Sequence, residues 1–147
     1  SSSAASDVYK RQVSEVASGG EISRLMLSLK ALIAHAMALP SIVFDEVDTG
    51  VSGEIADKMA GIMREMAECM QVVSITHLPQ VASLGQTHYR VYKSDTETST
   101  ATHLIKLSEK ERIEEIARML SGSSLTAAAL DNARELLKRN DLKDGKK

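Results

Sequence analysis

The chain has 147 residues, 43% of them hydrophobic, a net charge of −2 and a pI of about 6.1. That is one domain's worth of sequence with enough apolar content for a core, and its charge balance carries no overall basic footprint for nucleic acid. Aromatic residues make up 3% and Trp is absent, so the core must be aliphatic and Met-rich, and the single cysteine, Cys69, excludes an internal disulfide. Cys69 reads as a small buried residue of a reducing compartment. No apolar run approaches a membrane span, and no secretory signal is visible.

Residues 1–12 open on Ser1-Ser2-Ser3-Ala4-Ala5-Ser6, a low-complexity run. They read as a disordered or foreign leader, with the last turn of a coiled-coil arm as the alternative. Ser18 and Glu21 stand at capping-box spacing and open a helix over about 20–38. Its apolar positions recur at Ile22, Leu25, Met26, Leu29, Leu32, Ile33 and Met37, and Pro40 follows. Ser41-Ile42-Val43-Phe44-Asp45 then reads as a strand buried on both faces. It runs straight into a second acid, Glu46. Two adjacent carboxylates at the end of such a strand are what nucleotide hydrolases use, the first for Mg²⁺ and the second to activate water; a solvated acidic turn is the plainer alternative.

A turn through Asp48-Thr49-Gly50 leads to a helix over about 53–69, with Ile55, Met59, Ile62, Met63 and Met66 on one face. A strand follows over 71–76, ending at Thr76-His77, and a short helical turn begins after Pro79. Two β-rich segments, 89–93 and 100–107, flank the polar stretch 94–99 and predict a hairpin. Ser108 and Glu111 repeat the capping-box spacing, opening a helix that ends near Gly122, a residue suited to a left-handed cap. A last helix covers about 125–139, and Asn140 with the charged tail, 141–147, is expected to fray. The seven methionines fall mainly on helical faces as adaptable core filler.

The motifs carry more together than singly. Ser18-Gly19-Gly20-Glu21 is a Gly-rich helix entry, where backbone N–H groups and the helix dipole can approach an anion. After it come the strand ending Asp45-Glu46 and the strand ending in His77. Loop, acidic strand and His, in that order, resemble the C-terminal half of an ATP-binding-cassette ATPase head. Phe44-Asp45-Glu46-Val47-Asp48-Thr49-Gly50-Val51-Ser52-Gly53, Ile75-Thr76-His77-Leu78-Pro79-Gln80-Val81, Tyr92-Lys93 and Ile116-Ala117-Arg118-Met119-Leu120-Ser121-Gly122 narrow this to the DNA-repair branch of the SMC-like family. The resemblance covers about residues 13–140.

It implies an α/β fold: the C-terminal portion of a P-loop head, with a partial parallel sheet, flanking helices and a β-hairpin. It implies ATP and Mg²⁺ as cofactors, with Asp45 on the metal, Glu46 polarising the attacking water and His77 sensing the γ-phosphate. Ser18, Gly19, Gly20 and Glu21 would contact the nucleotide held by a second head, in a nucleotide-bridged homodimer. Asp48 and Thr49 would meet that head as a D-loop; the alternative is a turn in which Asp48 caps the next helix.

No Gly-x-x-x-x-Gly-Lys-[Ser/Thr] loop occurs in the 147 residues. In the resembled family that loop lies in an N-terminal lobe before a coiled coil. The chain is therefore expected to be a head fragment, inactive as an ATPase without that lobe. The resemblance further implies cytoplasmic, nucleoid-associated recombinational repair of DNA double-strand breaks, with DNA as a partner and no membrane. The alternatives are a head of another SMC or ABC-type ATPase, for chromosome structure or transport, and a non-catalytic head-pairing module. His88 carries no assigned role.

Overall fold

The computed structural model describes residues 19–51, 53–95, 99–122 and 124–144. The leader at 1–12, Ser18 and the tail at 145–147 lie outside the described residues. The chain divides into two compact units, the first ending at Val81 and the second beginning at Ala82.

In the first unit, helix α1 (Gly19–Ala36) leads to strand β1 (Ser41–Asp45), helix α2 (Gly53–Ala67) and strand β2 (Gln71–Ile75), and the short helix α3 (Pro79–Ala82) begins at its end. The β1 and β2 strands pair in parallel, from Ser41 opposite Gln71 to Asp45 opposite Ile75. This is the partial parallel sheet expected of the fold. A parallel pair needs a crossover, and α2 supplies it. Helix α2 turns Ala56, Met59, Ala60, Met63 and Met66 inward, at helical spacing, onto a core with Phe44 and Leu27.

Three expectations change here. Helix α1 buries Gly20, Leu27 and Ala34, which recur every seven residues, while its larger apolar side chains face outward, with Leu32 67% and Ile33 57% exposed. The periodic stripe read from the sequence is real but uncovered among the described residues. The same holds for the sheet: Phe44 is buried, while Val43, Val73 and Ile75 are exposed, so β1 is covered on one face and not on both. Cys69 is exposed, not buried. It sits in the turn after α2, where its N–H reaches back to the Met66 carbonyl at 3.0 Å, and the turn holds it away from the core.

Helix α1 ends in a Schellman arrangement. The Leu39 N–H bonds the Ala34 carbonyl at 3.1 Å and the Ala38 N–H bonds the His35 carbonyl at 3.0 Å. The position that must turn left-handed is Ala38, with φ of 50°. This turns the chain out of the helix into Pro40 and the start of β1.

In the second unit, strands β3 (Tyr89–Asp95) and β4 (Thr100–Lys106) form the antiparallel hairpin, and helices α4 (Glu109–Ser121) and α5 (Ala127–Asp144) pack on one another. Small residues make that seam: Ala117 from α4 and Ala129 and Ala133 from α5 surround Ile116, which is fully buried. Burying a side chain of that size stabilises by about 2–3 kcal/mol. The capping box at the start of α4 is formed: the Ser108 N–H donates to Glu111 Oε2 at 2.8 Å and the Glu111 N–H to Ser108 Oγ at 3.4 Å. Gly122 follows with φ of 79° and ψ of −138°, a region open to glycine though not the left-handed helical one.

Asn140 does not fray. It is buried, 5% exposed, and its side-chain N–H donates to Ser83 Oγ at 2.8 Å, so α5 continues past it. Arg112 ties down the start of the same unit, donating to the carbonyls of Ser83, at 2.9 Å, and Gly85.

Candidate functional site

The two strand ends bring the sequence-predicted acid pair and histidine to one edge. Asp45 closes β1 opposite Ile75, which closes β2, and His77 follows two residues later. Asp45, Glu46 and His77 are all exposed. In open α/β sheets, ligands bind beyond the carboxyl ends of parallel strands, and this is where the three side chains emerge.

Glu46 leaves the strand in a left-handed conformation, φ 48°. For a residue other than Gly this backbone is uncommon and costs about 1–2 kcal/mol. It persists because both peptide groups of Glu46 are held. Its N–H donates to the Ile75 carbonyl at 2.9 Å, and its carbonyl accepts from the Thr49 N–H at 3.2 Å and Thr49 Oγ1 at 2.9 Å. The bend separates the direction of Glu46 from that of Asp45, so adjacent carboxylates can address different parts of one ligand.

Asp48 is 1% exposed and turned inward. Its Oδ2 accepts from Thr76 Oγ1, and that hydroxyl in turn accepts from the Leu78 N–H at 3.0 Å. The alternative in which Asp48 caps α2 is therefore corrected: the carboxylate goes across to the β2 end, because α2 begins five residues later and Thr76 is beside it. Thr49, by contrast, is exposed. Sequence reasoning passed over Thr76, whose signal was a hydroxyl directly before His77 at a strand end.

Of the Gly-rich helix entry, Gly19, Gly20 and Glu21 form the first residues of α1, so the partial positive end of the helix lies at Gly19 and Gly20. Gly20 is buried, and a Cβ there would meet Ile55 Cδ1 at 3.1 Å, so its lack of a side chain lets α1 approach the start of α2. A Cβ on Gly19 would meet nothing within 4 Å. The starts of α1 and α2 thus lie together. The Glu54 carboxyl in that region is held below its usual range by a hydrogen bond from Lys58, then by the charges of Lys58 and Arg24. A shallow groove lined by Ile22, Ser23, Met26, Leu27, Lys30 and Val47 runs between α1 and the segment after Glu46.

Among the described residues no cluster of three or more His, Cys, Asp or Glu side chains could enclose a metal ion. Mg²⁺ is commonly held by one or two carboxylates plus ligand phosphates and water. Asp45 can supply one carboxylate; a closed protein cage is not required.

The second unit has a separate polar cleft, lined by Gln86, Thr87, His88, Lys106, Leu107, Glu109 and Arg112. Burial lowers the His88 pKa below its ordinary 6.5, and the Arg112 charge lowers it further against the opposing pull of Glu115. Nearby, Arg90 joins the hairpin to α4 through Glu115 at 3.5 Å and lies over Tyr92, which stacks on His103.

No protein-family model matches the chain. It is 45% identical over 125 residues to the DNA repair protein RecN of Rickettsia conorii, 43% over 125 residues to that of Vibrio cholerae and 42% over 127 residues to that of Halalkalibacterium halodurans. These matches take in 85–86% of this chain and 22–23% of each relative, so the chain spans about a quarter of the length of the proteins it matches. A solved structure from work on the ATP-driven dimerization and DNA-stimulated activation of SMC ATPases aligns with a TM-score of 0.59 at 19% identity, over 76% of this chain and 66% of its own. The sequence is RecN-like over this stretch, and the fold is shared with that solved structure.

Proposed function

We propose that this RecN-like chain forms the nucleotide-hydrolysing and head-pairing side of an ATPase head, and that the longer protein works in recombinational repair of DNA double-strand breaks. The observation that carries the reading is the pairing of β1 with β2, which sets Asp45 and Glu46 beside the His77 end of the neighbouring strand. The repair setting rests on the RecN relatives, and pairing of heads on the dimerizing SMC ATPase neighbour.

In this reading Asp45 holds Mg²⁺, which when bound neutralises phosphate charge. The Glu46 carboxylate accepts a proton from the attacking water and orients it. His77 donates an N–H to a phosphate oxygen. Ser18, Gly19, Gly20 and Glu21 present the positive start of α1 to the nucleotide held by a second head, and Thr49 lies at the contact with that head. ATP is anchored mainly by a phosphate loop of an N-terminal lobe. That lobe also covers the apolar residues that α1 and the sheet expose, Leu32, Ile33, Val43 and Ile75 among them. Contiguous exposed apolar surface of this kind is characteristic of an interaction face.

The test is ATP turnover. The chain alone should show none. A protein that joins it to the preceding part of a RecN relative should hydrolyse ATP, and Glu46→Gln should slow turnover by about 100-fold or more while ATP binding persists. Equal loss of binding and turnover would make Glu46 a structural residue and favour the non-catalytic head-pairing module.

A further inference from the structure

The candidate catalytic residues Glu46 and His77 lie on different segments, and a part-buried side-chain hydrogen bond joins those segments. Asp48, two residues after Glu46, accepts at Oδ2 from the hydroxyl of Thr76, the residue before His77. The Asp48 side chain is almost fully buried. Its position therefore excludes direct contact with a nucleotide in solvent and puts its effect inside the fold.

The hydrogen-bond bookkeeping is directional. A threonine hydroxyl has one proton to give and can accept as well. Here it accepts from the Leu78 N–H, so its proton is committed to Asp48. The relay Leu78 N–H, Thr76 O–H, Asp48 fixes the backbone on both sides of His77. At the other end, Thr49, next to Asp48, holds the Glu46 carbonyl with its N–H and hydroxyl, and Ile75, next to Thr76, holds the Glu46 N–H. The left-handed backbone of Glu46 is thus enclosed in a ring of bonds that Asp48 and Thr76 close. Without the closure, a strained residue has a lower-energy conformation to relax into.

We propose that Asp48 and Thr76 are a positioning pair that sets Glu46 and His77 at a fixed separation, so that water activation and phosphate contact occur on the same nucleotide. Neither residue touches the ligand. The pair deepens the hydrolase reading above and rests on it. Small displacements of a catalytic group lower rate far more than binding, because correct geometry matters most in the transition state.

The experiment uses the full head-containing protein, the chain joined to the preceding part of a RecN relative, with steady-state ATP hydrolysis as readout. Thr76→Val keeps the shape and removes the hydroxyl. It should lower kcat by about 10–100-fold with KM for ATP changed less than about threefold. Thr76→Ser, which restores the hydroxyl, should recover most of the rate. Asp48→Ala, which removes the acceptor, should match Thr76→Val, and the double variant should be no slower than the slower single one, since a shared bond can be broken only once. A Thr76→Val protein that turns over like its parent, or one that loses KM with kcat intact, would overturn the proposal, as would additive losses in the double variant. Should Thr76→Val fail to fold, Thr76→Ala and Asp48→Ala decide the matter by the same criteria, with Thr76→Ser as the control that keeps the hydroxyl. A parent protein with no ATPase activity would refute the hydrolase reading itself, which is a distinct outcome.

Discussion

Replacing Ala38 by Gly should stabilise the chain. Ala38 is the turning residue of the Schellman arrangement at the end of α1, with φ of 50°, and it is exposed. An L-residue there carries about 1–2 kcal/mol of steric cost from its Cβ. Glycine removes that cost but adds freedom to the unfolded chain, worth about 0.4–1 kcal/mol in the other direction. The exposed methyl contributes no packing to lose. The net gain is then about 0.5–1 kcal/mol, a rise in Tm of a few degrees for a chain of this size. Urea unfolding followed by circular dichroism would read it as a higher midpoint at unchanged slope. Ala36→Gly, two residues earlier and inside the last turn, is the control: the same chemical change in a right-handed helical residue should cost about 1 kcal/mol. If both variants lost stability alike, the left-handed strain assigned to Ala38 would be refuted.

Two further outcomes follow from the second unit. Ser108→Ala removes the side-chain acceptor of the α4 capping box and should cost about 1 kcal/mol, read by thermal unfolding; an unchanged Tm would mean water replaces the cap without loss. His88 is kept below its ordinary pKa of 6.5 by burial, so the unfolded chain takes up this proton first as pH falls. Its contribution to stability is complete above pH 6.5 and declines as pH drops below that value towards the folded pKa. His88→Gln should flatten the stability profile as pH falls below 6.5, and a profile unchanged by the substitution would contradict the assignment.

What the sequence disclosed was local. The Ser108–Glu111 cap forms as read because both partners lie within one helical turn. The helices, the β1 and β2 strands and the hairpin follow from apolar periodicity, and the α/β fold from their order. What it concealed depended on distant partners. Asn140 looks like the beginning of a charged tail, and it stays helical because Ser83, 57 positions earlier, takes its side-chain N–H. Asp48 carries no mark that distinguishes an outward carboxylate from one turned towards Thr76. Gly20 reads as a close approach to phosphate, while in the fold its missing side chain also makes room for Ile55. The stripe on α1 was visible as a periodicity, but a periodicity states which residues share a face and not what covers it. Ala38 gives no glycine signal, so the cap that leads into β1 appeared only in the backbone.

The proposed function has nucleotide bridge two heads through the Gly-rich entry of α1. Its most direct test is sedimentation of the full head-containing protein with ATP in a Glu46→Gln background, with and without Ser18→Arg. An ATP-dependent dimer is expected for the Glu46→Gln protein and a monomer once Ser18→Arg is added, with ATP binding by each monomer retained. An equally stable dimer with Ser18→Arg would contradict it.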